Sequence, residues 1–216
     1  MLEAAWAGEG VEEAGAGWGT GDGAGVGVKK GASGGIGTAV TAALAAQGTS
    51  ITEGQLVLLR RYHTQVECFF DSDSAGQKAA LRFLPMALKA GLEIRFLTLA
   101  GDGKVDPDLL FLERGLAAYD ELRREAKSAM AFACHAALPD PLGASAELKS
   151  RAAQTVFEII ANAESEVTRS AFINETSSQL RLPLAAAQKD FQTLLQRQSR
   201  QAAARPAATP PEGAAP

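Results

Sequence analysis

The sequence predicts an α/β fold in which a small parallel sheet with flanking helices is followed by an all-α helical subdomain. Two short segments rich in strand-forming residues, QVECFF (65–70) and EIRFLTLA (93–100), enclose a segment with helical spacing. A strand, a helix and a second strand in close order form a βαβ unit, whose two strands run parallel. Beyond residue 116 the apolar residues recur at helical spacing throughout.

Composition and charge are those of an ordinary globular protein. The 216 residues suffice for one domain with an appendage or for two small ones, and 46% of them are hydrophobic. The net charge of −4 disfavours a surface that is positive throughout. The chain has no run of 18 apolar residues and no secretory signal, so we expect a cytoplasmic protein without membrane contact.

The cysteines and histidines do not form a recognisable metal-binding pattern. Cys68 and Cys134 lie far apart and lack metal-site spacing, so both are expected to be buried free thiols in a reducing compartment. His63 and His135 have no paired ligands nearby, and for both we expect a structural or solvated role.

The composition changes sharply near residue 38. Thirteen of the 22 glycines lie within residues 1–37, where the few hydrophobic residues show neither helical nor strand periodicity. Such a segment buries too little apolar surface to offset the entropy lost on ordering, so we expect it to be disordered or foreign to the fold. The remaining units are predicted to be a partial α/β domain (38–116), the helical subdomain (117–200) and an Ala/Pro-rich tail (201–216).

The first two helices have distinct start and stop signals. Thr52 is the expected N-cap of the first, and its predicted inward residues are Leu56, Val57 and Leu59. The second is predicted over 74–91, ended by Gly91 and kinked or broken at Pro85. Its predicted inner face consists of Ala75, Ala79, Leu84 and Leu88.

Four further helices are predicted in the last part of the chain. Their ranges are 117–137, 145–164, 166–180 and 184–199.

The chemistry of the chain is concentrated in the segment CFFDSDSAGQKAALR. The predicted strand delivers Asp71 and Asp73 at its carboxyl end, where an open parallel sheet places its ligand site. Residues i and i+2 of an extended chain point the same way, and two converging carboxylates suit Mg²⁺. Small residues at 74–76 allow a helix to start close behind and to offer its N-terminus to a phosphate. A loop of solvated aspartates is the alternative interpretation of the same pattern.

Three ordered motifs resemble the Toprim domain of bacterial replicative DNA primase. They are QGTSIT, DSDSAGQKAALR and VDPD. The predicted helices downstream are similar to the helical subdomain of the same polymerase core. The resemblance covers roughly residues 45–196. Ser72 and Val105 depart from it, since the family has glycine and glutamate at those positions.

The resemblance implies synthesis of short RNA primers on a single-stranded DNA template, from nucleoside triphosphates and with Mg²⁺ or Mn²⁺. Asp71 and Asp73 would then be catalytic metal ligands, and Asp106 and Asp108 would complete the acidic cluster.

The resemblance is less specific about the roles of the basic and small residues near the motif. Lys78 and Arg82 would steady a triphosphate or the template backbone, and Gly48 and Thr49 would shape the turn beside the site. A solvated helix face explains Lys78 and Arg82 equally well. The same ambiguity holds for the pair at 60–61.

The chain departs from the primase pattern upstream of the motifs. Primases carry an essential glutamate roughly 40–45 residues before the paired aspartates. Counting back from Asp71 leads to residues 27–30, which contain no glutamate, and neither a zinc module nor a helicase-binding domain is recognisable. We therefore expect a portion of a primase core that is inactive alone, with a frame error or wrongly chosen start as the first explanation and a diverged, non-catalytic relative as the second. Contact with a replicative helicase would require a domain not recognised here.

Three other functions remain as alternatives. One is a non-catalytic module that binds nucleic acid or helicase, and another is a different Toprim protein of the topoisomerase, recombination or nuclease type. The helices after residue 117 favour primase over the latter. The third is a short-chain dehydrogenase, suggested by the glycines at 31–37. It is disfavoured because neither Tyr62 nor Tyr119 is followed by the required lysine.

Overall fold

The computed structural model describes the main chain of residues 3–6, 26–29 and 42–46, and the chain over 51–70, 74–98 and 107–204. Side chains are described for 51–70, 74–98, 114 and 117–204.

A six-stranded mixed sheet forms the centre of the first part of the molecule. Its spatial order is β2-β3-β1-β4-β5-β6. The strands are β1 (Glu3–Trp6), β2 (Val26–Lys29), β3 (Ala42–Ala46), β4 (Gln65–Phe69), β5 (Glu93–Leu97) and β6 (Lys127–Ser128). The predicted parallel pairing is confirmed for β4 and β5, which align from Gln65 opposite Glu93 to Phe69 opposite Leu97. All other strand pairs are antiparallel.

Seven helices lie within the described residues. They are α1 (Glu53–Tyr62), α2 (Ser74–Lys89), α3 (Pro107–Arg124), α4 (Ala129–Ala137), α5 (Ala146–Ile160), α6 (Glu166–Leu180) and α7 (Leu184–Ala204).

Two of the strands lie in the glycine-rich segment that was expected to be disordered. The main chain of β1 pairs with β3 and β4, and that of β2 pairs with β3. The expectation is therefore wrong for these two stretches. A sheet ladder is built from backbone N–H and C=O groups, so a strand can form without the apolar alternation that the prediction required.

Helix α1 starts as its sequence predicts. Thr52 accepts a hydrogen bond from the backbone N–H of Gln55, whose side chain accepts one from the backbone N–H of Thr52, which forms a capping box. Leu56 is buried and Leu59 is partly buried, but Val57 is 52% exposed. The inward assignment of Val57 is wrong because it lies about 100° around the helix from Leu56.

Helix α2 runs without a break through Pro85. Of the two expected outcomes, a kink or a break, the break does not form, and residues on both sides of the proline are buried in the same core. The buried face consists of Ala80, Phe83, Leu84, Ala87 and Leu88. Ala75 is exposed and Ala79 is only partly buried, so the predicted face was correct in its second half alone.

Gly91 ends α2 as predicted, with a φ of 72°. The N–H of Leu92 donates to the carbonyl of Ala87 and that of Gly91 donates to Leu88, both at 3.0 Å. This is a Schellman motif, in which a left-handed glycine satisfies the last carbonyls of the helix.

The predicted helix over 117–137 is two helices. Helix α3 ends at Arg124, and after the two-residue β6 a new helix, α4, starts with Ser128 as its N-cap. Strand β6 pairs with the outer edge of β5, so the interruption adds a strand to the sheet. The three later helices are confirmed, with α7 extending to Ala204.

One large apolar core joins the sheet to the helical part. It contains Val66, Cys68 and Phe70 from one face of β4, together with residues of α2 and α4–α7. A smaller cluster on the opposite face of the sheet contains Phe69, Leu97, Ala118, Tyr119 and Leu122. Cys68 and Cys134 are both free and buried, as predicted. Within the described ranges, no helix combines the length and the hydropathy that a membrane span requires.

Candidate functional site

The carboxyl ends of two neighbouring parallel strands meet at one edge of the sheet. Phe69, the last residue of β4, lies opposite Leu97, the last residue of β5. Helix α2 follows β4 after residues 70–73, and α3 follows β5 after residues 98–106. The two strands that precede the paired aspartates and the segment before α3 therefore end at the same edge, which is where parallel sheets place their ligands.

Most of the predicted acidic cluster lies outside the described residues. This applies to Asp71, Asp73 and Asp106, while Asp108 is the second residue of α3 and its side chain is not described. Gly48 and Thr49 also lie outside the described residues. The convergence of the carboxylates therefore stays a prediction, supported by the confirmed strand β4 that precedes them.

Lys78 and Arg82 lie on exposed turns of α2, one turn apart. The Nε of Arg82 donates to the backbone carbonyl of Lys78 at 3.3 Å. Among the residues that the structure describes, neither side chain forms a salt bridge with a carboxylate. Both side chains are exposed to solvent.

The basic pair of α1, Arg60 and Arg61, is also exposed, in the last turn of that helix. The two helices are linked by an exposed salt bridge between Lys89 and Glu53, whose Nζ and Oε2 atoms are 3.0 Å apart. Nε of Arg60 would lie 3.5 Å from a Cβ added at Gly91, so Arg60 lies beside the C-terminal end of α2, whereas Lys78 lies near its start.

A buried charged cluster that was not predicted from the sequence joins β4 to α3. Glu67 of β4 is 5% exposed. The hydroxyl of Tyr119 donates to Oε2 of Glu67, and Nε of Arg123 donates to Oε1 at 2.8 Å. We call these three residues the Glu67 cluster. The signal in the sequence was a single acidic residue within an otherwise apolar strand.

The contacts with Glu67 shift the pKa values of Tyr119 and Arg123. Burial, together with the hydrogen bond to Glu67, raises the pKa of Tyr119 above its ordinary value. The hydrogen bond to Glu67 also raises the pKa of Arg123. The cluster is therefore a carboxylate held between a phenol and a guanidinium.

A divalent metal would have to be held by the acidic segments that follow β4 and precede α3. Over the stretches that are described, no group of three or more His, Cys, Asp or Glu side chains could hold a metal ion. Carboxylate oxygens at the carboxyl ends of parallel strands are nevertheless the donor set that Mg²⁺ prefers. The carboxylates of the segments that follow β4 and precede α3 therefore have the donor chemistry that Mg²⁺ prefers, and their arrangement around an ion stays a prediction.

Comparison with protein families finds a Toprim-like domain over residues 26–111. A DNA primase of Clostridium acetobutylicum is 38% identical over 85 residues, which are 39% of this chain and 14% of that protein. A DNA primase of Escherichia coli K12 is 32% identical over 130 residues, which are 59% of this chain and 22% of that protein. The matches thus span less than a quarter of either relative.

Comparison with solved structures gives the same result. A structure of the DnaG primase catalytic domain bound to single-stranded DNA matches with a TM-score of 0.57 and 29% identity, over 66% of this chain and 45% of that one. The Escherichia coli primase catalytic core matches with a TM-score of 0.55 and 30% identity, over 65% of this chain and 45% of that one. The chain therefore contains a Toprim-like domain and is similar, over about two thirds of its length, to the catalytic cores of bacterial DNA primases.

Proposed function

We propose that this chain carries the metal-binding and nucleotide-binding edge of a primase-type polymerase that makes short RNA primers on single-stranded DNA. The observation that carries the proposal is the parallel β4–β5 pair, whose carboxyl ends lie side by side and are followed in the chain by the Asp71–Asp73 and Asp106–Asp108 segments. The helical part after α3 supports primase over other Toprim proteins, since matches to primase catalytic cores extend over about two thirds of the chain.

The residues have distinct tasks in this proposal. Asp71 and Asp73 hold a divalent cation, and Asp106 and Asp108 complete the negative cluster. The bound Mg²⁺ or Mn²⁺ neutralises the charge that develops on the phosphates during nucleotidyl transfer. Lys78 and Arg82 bind the triphosphate or the template backbone through their exposed cationic groups.

The partners of the proposed activity follow from the relatives. One matching structure is a primase catalytic domain bound to single-stranded DNA, which makes the same ligand the proposed template for this chain. Nucleoside triphosphates are the proposed substrates, and a replicative helicase is the proposed partner of the assembled primase. Its place of action would then be the cytoplasm, where a bacterial chromosome is replicated.

The chain by itself is expected to bind metal weakly and to synthesise no primers. Polymerisation in this family requires a glutamate upstream of the paired aspartates, and residues 27–30 contain none. The proposed activity therefore belongs to a polymerase whose first strand supplies that carboxylate.

The metal assignment is tested with Mn²⁺ as a spectroscopic probe. We expect the chain to bind Mn²⁺ weakly, as measured by electron paramagnetic resonance of the free ion. The double substitution Asp71→Ala and Asp73→Ala should abolish the binding. Asp190→Ala, which removes an exposed carboxylate from α7, should leave it unchanged. Equal binding by the first variant and the unsubstituted chain would contradict the assignment.

A second candidate function is a module that binds single-stranded DNA without synthesis, favoured by the exposed Lys78 and Arg82. Binding to a fluorescent oligonucleotide should weaken when both are replaced by alanine, and the slope of log K against log salt should fall by about 1.4 for two lost phosphate contacts. Lys189→Ala with Arg197→Ala, two exposed cations of α7, is the matched control. Primer synthesis on a single-stranded template with Mg²⁺ then separates the candidates: robust synthesis by this chain would refute the requirement for the upstream glutamate.

A further inference from the structure

We propose that Glu67 is a positioning residue, which anchors α3 to β4 and thereby determines where the first turn of α3 lies at the carboxyl edge of the sheet. The inference rests on the proposed function, because that first turn is where Asp106 and Asp108 enter the acidic cluster.

The contacts of the Glu67 cluster join two elements that are far apart in sequence. Tyr119 and Arg123 are four residues apart on α3, so both side chains leave the same face of the helix. They take one carboxylate oxygen each, Tyr119 at Oε2 and Arg123 at Oε1. A carboxylate bound at both oxygens by one helix fixes the rotation of that helix as well as its distance from the strand.

Apolar contacts lie beside this anchor. The cluster on this face of the sheet contains Phe69 and Leu97 from the strands and Ala118, Tyr119 and Leu122 from α3, with Ala126 packed against it. The α3 members lie within about one helical turn of Tyr119, so they hold the same part of the helix as the two hydrogen bonds.

Stability alone does not explain a buried carboxylate at this position. Desolvation of two charges offsets most of their attraction, and an apolar pair of similar volume is often as stable or more stable. A charge-assisted hydrogen bond to each oxygen of a carboxylate, however, is far more directional than apolar packing. The cluster is therefore suited to specifying the orientation of α3.

Small errors in that orientation are amplified at the site. Tyr119 lies twelve residues after Pro107, so the start of α3 lies roughly 18 Å along the helix axis from the anchor. A tilt of about 10° at the anchor displaces the start by roughly 3 Å. Metal ligands have to be held within about 0.5 Å of their productive positions, so such a tilt removes Asp108 from the cluster.

The direct test is amide hydrogen exchange of the first turn of α3, residues 107–112, in the full chain. Glu67→Gln keeps the shape of the side chain and removes its charge. We expect exchange in that turn to become about tenfold faster, the equivalent of one lost charged hydrogen bond, while exchange in α2 is unchanged. Glu53→Gln, which removes the exposed partner of Lys89, is the matched control and should change neither region.

A second measurement shows whether Arg123 acts through Glu67. Arg123→Gln should accelerate exchange as Glu67→Gln does, and the double variant should add little to either single one, because both remove the same contact. Additive effects, or unchanged exchange in residues 107–112 for Glu67→Gln, would overturn the inference.

Mn²⁺ binding separates this inference from the proposed function. If the Asp71→Ala and Asp73→Ala variant and the unsubstituted chain bind Mn²⁺ alike, the metal assignment fails, while the exchange data still decide the role of Glu67. If the metal assignment holds, Glu67→Gln should weaken Mn²⁺ binding about tenfold under conditions in which circular dichroism shows the variant to be fully folded. Unchanged affinity would show that α3 is held without Glu67.

Discussion

His63 illustrates how one side chain couples the fold to pH. It is the C-cap of α1, where its backbone N–H donates to the carbonyl of Leu59 at 3.0 Å. Its ring is partly buried, and this burial lowers the pKa of His63 from an ordinary 6.5 to about 4. The sequence left a structural and a solvated role open for His63, and the partial burial of its ring favours the structural role.

The lowered pKa predicts a loss of stability in acid. Between about pH 6.5 and pH 4 the unfolded chain binds a proton at this residue and the folded chain does not. The free energy of unfolding therefore falls as the pH falls through this window. His63→Gln should make the fall shallower, as measured by urea unfolding at several pH values. The exposed His135→Gln serves as the control, and equal pH profiles for the unsubstituted chain and His63→Gln would contradict the prediction.

Glu67 marks the limit of prediction at the scale of single residues. The apolar run from 65 to 70 correctly indicated strand β4, because strand propensity is a local property. Whether a charged side chain in such a strand meets solvent or a partner depends on what covers that face. Its partners, Tyr119 and Arg123, are more than 50 residues away in the sequence, so no local pattern could indicate the contact.

At the scale of elements, the end of α2 depends on a backbone conformation that only glycine adopts freely. Gly91 has a φ of 72°, and a Cβ added there would lie 3.5 Å from Nε of Arg60. The strain therefore comes from the left-handed backbone and hardly from lack of space.

Replacing Gly91 by alanine should destabilise the protein by about 1 kcal/mol. Gly54 provides the matched control, since it lies within helix α1 and a Cβ there would have no atom within 4 Å. Gly54→Ala should stabilise by up to about 1 kcal/mol through helix propensity. Urea unfolding monitored by circular dichroism measures both changes, and two substitutions of the same sign would refute the conformational explanation.

The elements that the sequence predicted correctly are those with strong local signals. Thr52 marks the start of α1 and Gly91 the end of α2, and both caps are formed by residues that are neighbours in the sequence. The parallel β4–β5 pair follows from a strand, a helix and a strand in close order. The break between α3 and α4 has no such signal. Ser128 caps α4 and also donates a hydrogen bond to Glu175 of α6, so the new helix depends on a contact 47 residues away.

At the scale of the whole molecule, a single core joins the sheet to the helical part. Phe96 of β5 stacks on Phe132 of α4 with ring centroids 4.1 Å apart, and Phe157 of α5 meets Phe191 of α7 at 5.7 Å. All four belong to the same buried cluster. The two predicted units are therefore expected to unfold together, although the boundaries drawn for them in the sequence stay a prediction.

Cavity formation in the helical part tests this cooperativity. Phe157→Ala should destabilise the protein by about 3–5 kcal/mol. The two buried thiols report on the two parts, because Cys68 lies in β4 and Cys134 in α4. Burial raises the pKa of both, that of Cys134 to about 12, so neither reacts readily in the folded state.

In urea, a thiol reagent should label both cysteines at the same midpoint, and Phe157→Ala should shift both labelling curves equally. The exposed neighbour Glu158→Ala is the control and should shift neither. Labelling of Cys134 at a urea concentration that leaves Cys68 protected would indicate two independent units.

The side chain of Glu67 has one more consequence, which concerns how the sheet assembles. Consecutive residues of β4 face opposite sides, so sliding this strand by a single position would turn the carboxylate into the apolar interior occupied by Val66, Cys68 and Phe70. Such misaligned assemblies are penalised by an unpaired buried charge, whereas a strand of purely aliphatic residues would tolerate them. A polar residue that adds little to the stability of the finished protein thus excludes wrong alignments during its folding.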